Sequence, residues 1–511
     1  MSPPRLMSSR TDAPSRLVDC ALRLLLVSAF VLCGSHAASV ASPGRPRVVL
    51  ILVDGVRWDY LSEPDLPGFG ELAKTGVKAE YVVPIMPANS YPNWYTIVTG
   101  GKSRRCFLIR FILYDACREI RYSVSDPQVE KSTRDVVRNL FAGLYGEQHG
   151  FVQNYMYDDQ YDDFFMMAPH PNASHPHWWN HAEPVWVTAE KNGLRTGMYW
   201  WDGCQVEIRG SKPTKCIPYR DYWQWPTVEN DTKSALSEIV EKFKQNTLDF
   251  ALVYYEAVDA VGHASGPDSM ERREALKSAD NVIKHLLDEA RRQNIRDQLS
   301  LIVVSDHGMT DTRPGKFDLI DIEPHIDAND IHSMLDGGSF AMLRPHPDKI
   351  EKVYAKLKSL NIKGLNVFKK EELPELYHLK TTHLTQPIVL TADPGYQIKK
   401  LQETDKQVPR SNRIYNGNHG YDPMKLEDMR AIFLATGPGL KQGFQNEPVR
   451  MVDHYNVICR QLGIKPLENS GRLDIVQGMF VGGASGSSTA VSLSLLVVPN
   501  ILLAARSYLY H

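Results

Sequence analysis

Four short, unbroken apolar runs punctuate the chain: "RVVLILV" before Asp54, "LDFALVYY" before Glu256, "LSLIVVS" before Asp306 and "RAIFLAT" before Gly437. Runs of this length without polar alternation are the pattern of strands buried on both faces. Between them lie stretches of helical periodicity. The clearest covers 269–291, where Leu276, Ala279, Val282, Ile283, Leu286 and Leu287 share one face. Buried strands alternating with amphipathic helices predict an α/β fold, a mostly parallel central sheet with helices on both faces. Residues 330–400 are less regular and rich in Lys, Leu and Pro, and are expected to form a small inserted subdomain or cap.

In such sheets, ligands gather beyond the carboxyl ends of the strands. Three of the four runs deliver metal-ligand residue types there: Asp54 after the first, Asp259 and His263 after the second, Asp306 and His307 after the third. A lone Asp after a strand is ordinarily a turn or helix cap; several, interleaved with His, are hard to explain that way. "DAVGH" sets Asp259 and His263 four apart across a glycine-containing turn, and "NGNHGYD" adds His419. Carboxylate oxygen with imidazole nitrogen suits zinc. The six candidate ligands are enough for two ions, which together can polarise the attacking and leaving oxygens of a phosphoryl displacement. Ser90, in "PANSYPNWYTIVTG", is the expected nucleophile; it precedes a predicted helix whose first N–H groups favour negative charge, and its plain alternative is an N-cap.

Composition adds less. With 511 residues, 43% hydrophobic and 23% charged, the chain can fold as one large domain or two. A formal net charge of −2 gives no reason to expect a nucleic-acid partner.

The two ends read as targeting segments. Residues 1–38 form a signal peptide: Arg16 and Arg23 flank the start of "LLLVSAFVLC", and "GSHAASVAS" offers a cut near Ala37 or Ala38. The alternative is a membrane anchor, although the run is shorter than the roughly 20 residues a span needs. Residues 482–511, with "GGASGSSTA" followed by "VSLSLLVVPNILLAA", have the order of a GPI-anchor signal; the trailing "RSYLYH" leaves a true span or a secreted tail as alternatives. All of these place the body of the protein at the exterior, on the cell membrane or secreted.

Cys204 and Cys216 are spaced for a loop-closing disulfide, and Cys20 and Cys33 leave with the leader. Cys459 has no evident partner unless it pairs with Cys106, Cys117 or another chain. Asn172 and Asn230 head glycosylation sequons.

Taken together, "LVDGVRWDY", "ANSYPNWYTIVTG", "YEAVDAVGHASGP", "VSDHGMTD" and "NGNHGYDP" resemble the nucleotide pyrophosphatase/phosphodiesterase family of the alkaline phosphatase superfamily, with the phosphodiesterase domain spanning 46–468. The resemblance implies two zinc ions, one held by Asp54, Ser90, Asp306 and His307, the other by Asp259, His263 and His419. It implies a phosphoseryl intermediate on Ser90, with Asn154 donating to a phosphate oxygen. Many members carry threonine where this chain has Ser90. Serine there, with "WWNHAEPVWVT" and "GMYWWDGCQVEI", looks most like the choline-specific branch of the family. That branch implies hydrolysis of glycerophosphocholine and lysophosphatidylcholine to phosphocholine, with Tyr254 facing the choline. A quaternary ammonium is best held by aromatic faces, and Tyr91, Trp94 and Tyr155 are also near the proposed catalytic positions. The alternatives are a sphingomyelin or nucleotide phosphodiesterase of the same family, or a catalytically impaired surface binding protein. Relatives form disulfide-linked homodimers through a cysteine near the C-terminus. No cysteine follows Cys459 here, which puts that linkage in doubt; a homodimer is one option, and the sequence does not decide the oligomeric state.

Residues 101–143 fit none of this. Without them "YTIVTG" runs directly into "LYGEQHGFVQN". The segment is arginine-laden and carries its own apolar stretch, "CFLIRFILYDAC". It reads as a surface loop, a basic flap drawn to anionic headgroups, or translated sequence that the mature transcript lacks; the last is the reading adopted.

Overall fold

The computed structural model describes residues 44–100, 144–220, 225–401 and 415–482. The expectations for 1–38, for 101–143 and for nearly all of 482–511 lie outside the described residues. Everything below belongs to the unit that begins at Pro46.

The central sheet has eight strands: β1 (Arg47–Val53), β2 (Val77–Ala79), β3 (Thr196–Tyr199), β4 (Lys215–Ile217), β5 (Phe250–Tyr255), β6 (Leu299–Val304), β7 (Phe433–Thr436) and β8 (Phe444–Asn446). Their spatial order is β8-β2-β7-β6-β1-β5-β3-β4. All pairings are parallel except those of β7, which runs antiparallel to both neighbours. The fourth apolar run therefore forms its strand but does not point at the site. The three central strands are buried almost along their whole length, which is why their sequences carry no polar alternation.

Helices cover the sheet in two groups. α1 (Pro67–Thr75) and α3 (Trp225–Lys244) each pack against α5 (Met270–Arg292), whereas α2 (Ser90–Val98) and α6 (His454–Leu462) pack together, α6 also against β1. α5 matches the periodicity of its sequence: all six face residues are buried, and Ser269 caps its start by accepting from the Arg272 N–H.

The stretch from 330 to 400 carries a four-stranded antiparallel sheet, Ile331–Leu335, Phe340–Pro345, Ile388–Ala392 and Leu365–Lys369 in spatial order, with helix Ile350–Ser359. Leu343, Val353, Leu357 and Leu390 form its core, which also takes in Ala88 and Tyr421 beside the nucleophile segment and the last histidine.

Candidate active site

Strand register assembles the site. Leu52 of β1 pairs with Tyr254 of β5 on one side and Val304 of β6 on the other. Two residues further on, Asp54, Glu256 and Asp306 stand level beyond the carboxyl ends. Behind Glu256 the chain turns at once into α4 (Ala257–Ser265). Asp259 and His263 are thus one helical turn apart on a single face, not across a turn. Gly262, placed inside that helix, leaves room for Met309, whose Cε would lie 3.1 Å from an added Cβ.

Ser90 is the first residue of α2, and Asn89 is its N-cap. The expectation of an open helix terminus needs correction: the Tyr91 N–H is donated to Asn154 Oδ1 (3.0 Å), so the terminus positions Asn154. With its oxygen used in this way, Asn154 has its amide nitrogen left to donate. Ser90 Oγ lies 3.2 Å from His307 Nε2.

All seven expected ligand residues converge. His307 Nε2 is 3.5 Å from Asp54 Oδ1 and 3.3 Å from Asp306 Oδ2. His263 Nε2 is 3.4 Å from Asp259 Oδ2 and 3.1 Å from His419 Nε2. The His307 and His419 rings stack at 3.6 Å, joining the two groups.

Each imidazole is oriented through its other nitrogen. His307 Nδ1 faces the Gly308 carbonyl (2.9 Å), His263 Nδ1 the Gly417 carbonyl (2.7 Å) and His419 Nδ1 the Ala88 carbonyl (3.1 Å). Donation to those carbonyls puts a bare lone pair on every Nε2, the arrangement typical of metal-ligating histidines.

The site's charge balance fits cations. Asp54 Oδ1 and Asp259 Oδ1 are buried and accept no hydrogen bond. The lone pairs of His263 and His419 face each other at 3.1 Å. Burial, with Asp306 and Asp259 nearby, pushes the Asp54 carboxyl well above the usual range; burial and Asp306 do the same to Asp259. Burial together with His307 and His263 pushes His419 well below its ordinary value. Carboxylates driven toward protonation beside imidazoles held neutral are groups short of positive charge. The donors form two sets that could hold metal ions, Asp54–Asp306–His307 and Asp259–His307–His419.

Sequence reading named Trp94 and Tyr254 only as rings near the choline, and missed both their hold on the ligands and Asn89. Trp94 Nε1 donates to Asp306 Oδ2 (2.7 Å) and Tyr254 Oη to Asp54 Oδ2 (2.6 Å). Asn89 Oδ1 lies 3.0 Å from His419 Nδ1. No residue pattern signals such contacts, because the partners are up to 330 residues apart.

A cavity of about 1000 Å³ opens over the site, lined by Ser90, Asn154, Trp94, Tyr219, Tyr254 and Glu256 among others. The expected aromatic residues divide. Trp94 and Tyr254 meet edge to face at 4.6 Å, and Tyr219 lies 6.0 Å from Tyr254, its hydroxyl donating to both oxygens of Glu256. Tyr91 sends its hydroxyl to Asp202 (2.7 Å), and the Tyr155 ring faces Lys400 Nζ at 5.0 Å.

Cys204 and Cys216 form a disulfide with Cα atoms 5.5 Å apart, while Cys459 is free and buried. Asn230 is exposed on α3. Asn172 is half-buried, and its amide donates to Asp163 Oδ1 and the Phe164 carbonyl.

Comparison with known proteins agrees with this geometry. The family model for type I phosphodiesterase / nucleotide pyrophosphatase matches residues 48–136 and 139–422. Human ectonucleotide pyrophosphatase/phosphodiesterase family member 7 is 30% identical over 470 residues, covering 90% of this chain and 88% of the relative. Human family member 5 is also 30% identical, over 90% of this chain and 83% of its own length. A Bos taurus bis(5'-adenosyl)-triphosphatase is 30% identical over 88% of this chain and 85% of the relative. Among solved structures, an inactive variant of murine family member 5 in complex with AMP superposes with a TM-score of 0.69 at 28% identity, covering 85% of this chain and all of that one.

Proposed function

The chain belongs to the type I phosphodiesterase / nucleotide pyrophosphatase family, a family of phosphodiester hydrolases, and from that premise we propose that it cleaves choline phosphodiesters, glycerophosphocholine and lysophosphatidylcholine, releasing phosphocholine. One zinc ion would be held by Asp54, Ser90, Asp306 and His307, a second by Asp259, His263 and His419. Two such cations, when bound, supply Lewis-acid stabilisation to the attacking and leaving oxygens.

The remaining work belongs to side chains. Ser90 Oγ, at the floor of the cavity, bonds to phosphorus as the bond to the glycerol or monoacylglycerol oxygen breaks. The Asn154 amide donates to a non-bridging phosphate oxygen, where negative charge develops. Water then attacks the phosphoseryl group, Ser90 departs and phosphocholine is released.

The observation that carries the choline assignment is the wall beside Ser90: Trp94, Tyr219 and Tyr254 with the Glu256 carboxylate. A trimethylammonium group has no N–H to donate, so ring faces and a carboxylate are what can recognise it. Each ring contributes about 0.5–2 kcal/mol, and several together give selectivity. The relatives named for nucleotide substrates favour a second reading, in which the same rings stack on a base.

One comparison separates the two: kcat/KM of the purified protein on glycerophosphocholine, lysophosphatidylcholine, sphingomyelin and diadenosine triphosphate. The choline-glycerol substrates are expected to lead. Preference for diadenosine triphosphate or sphingomyelin overturns the assignment.

The disulfide and the relatives named as ecto-enzymes support a protein body outside the cell, delivered by 1–38 and attached through a lipid anchor signalled by 482–511. Among the described residues, no helix is long and apolar enough to cross a membrane.

A further inference from the structure

A second His–Asp cluster stands on residues that take no part in the chemistry above. Asp163 begins the second strand of the hairpin formed by Met156–Asp158 and Asp163–Phe165. Its Oδ2 faces His175 Nδ1 at 2.6 Å, Trp178 Nε1 at 3.1 Å and His177 Nε2 at 3.4 Å, while Oδ1 accepts from Asn172. The three ligand atoms of Asp163, His175 and His177 all lie within 4.8 Å of one another.

His177 makes the cluster more than a surface ion pair. Its Nε2 is buried and makes no hydrogen bond, and the Tyr161 ring stacks on the imidazole at 4.1 Å. A buried ring nitrogen 3.4 Å from a carboxylate oxygen is too far for a good hydrogen bond and too close to be indifferent. Two ligands of one tetrahedral zinc, each about 2.0–2.2 Å from the ion, stand roughly 3.4 Å apart. It falls within the separations of the His–Asp pairs in the active site, 3.3–3.7 Å. His175 is half-exposed and closes the cluster from the solvent side; its contact has to widen by roughly 0.8 Å to share an ion.

We propose that Asp163, His175 and His177 hold an additional zinc-class divalent cation, with a fourth position open to water. Two imidazoles and a carboxylate form a borderline donor set that selects such metals over calcium or magnesium. The ion ties the hairpin to the segment carrying His175 and His177. From that hairpin the chain runs directly into Met166, Met167, Ala168 and His170, which line the substrate cavity. The site therefore steadies one wall of the pocket rather than taking part in catalysis.

The test is metal stoichiometry by mass spectrometry on the full-length protein, saturated with zinc and freed of excess by gel filtration. His175→Ala and His177→Gln are each expected to hold one ion fewer than the wild type while retaining hydrolysis. Because His175 is half-exposed, His175→Ala keeps the fold, and added zinc should raise its Tm less than that of the wild type. Equal ion counts in wild type and both variants overturn the proposal. The readout is a difference between chains, so it stands even if the active-site pair were wrongly assigned: the totals would fall, and the difference would remain.

Discussion

Trp94 shows how much of the site depends on a single N–H. Its indole donates to Asp306 Oδ2, while the Gly55 and His307 backbone N–H groups occupy Oδ1, so the buried carboxylate is held from both oxygens. Trp94→Phe keeps the ring against Tyr254 but removes the donor. Losses of about 10–100-fold follow when such supporting contacts are removed. A drop of that size is expected in activity at limiting zinc, recovering partly as zinc is raised; unchanged activity at limiting zinc would show that Asp306 needs no such support. His149 gives a second residue-level prediction. Its Nδ1 accepts from the Phe151 N–H (3.1 Å), and its Nε2 donates to Thr96 Oγ1 (2.9 Å), whose own proton goes to the Pro92 carbonyl. Only the neutral ring satisfies that chain. Burial lowers the His149 pKa from 6.5 to about 3. The unfolded chain therefore binds a proton that the folded one refuses, so stability is full above pH 6.5 and is lost as the pH falls toward 3. Between pH 6.5 and 5 the loss is roughly 2 kcal/mol. Urea midpoints should fall over that window and fall less in His149→Gln; equal slopes would assign the effect to other groups.

At the scale of elements, the parallel register of β1, β5 and β6 converts three distant sequence positions into one site. Gly55 marks how tightly α4 is then brought in. It sits at φ 71°, and a Cβ there would meet the Asp259 Cα and Cβ at 2.8 Å. Gly55→Ala is expected to cost about 1–2 kcal/mol from the left-handed backbone alone and to displace Asp259 as well. Kinetics and thermal melts together check this: Tm should drop, and kcat should fall further than the residual folded fraction explains. The strands and α5 were legible in the sequence because burial on both faces, or on one helical face, imposes its own periodicity. The helix carrying Asp259 and His263 was not, since Gly262 reads locally as a turn, whereas in the fold it lies inside the helix against Met309. The antiparallel course of β7 was also hidden, because an apolar run has no direction.

At the scale of the whole molecule, described residues from before and after the 101–143 segment meet: Thr96 Oγ1 lies 3.3 Å from the Leu144 carbonyl oxygen and 2.9 Å from His149 Nε2. The contacts that hold α2 to Asn154 and His149 thus do not involve 101–143. Hydrolysis of glycerophosphocholine by a chain lacking 101–143 is expected to equal or exceed that of the full chain; a folded but inactive deletion would mean that the segment contributes to catalysis. From the sequence alone came the strand ends, the donor types and the nucleophile segment, since each is set by local hydrophobic pattern and local residue chemistry. Tertiary structure alone decided which nitrogen of each histidine faces the site, which rings stand beside Ser90 and which are tied to Asp202 or Lys400, and that Asp163 gathers two histidines of its own. The reason is geometric: hydrogen bonds and ring contacts between residues far apart in sequence exist only once strand register and helix packing have fixed where each side chain points.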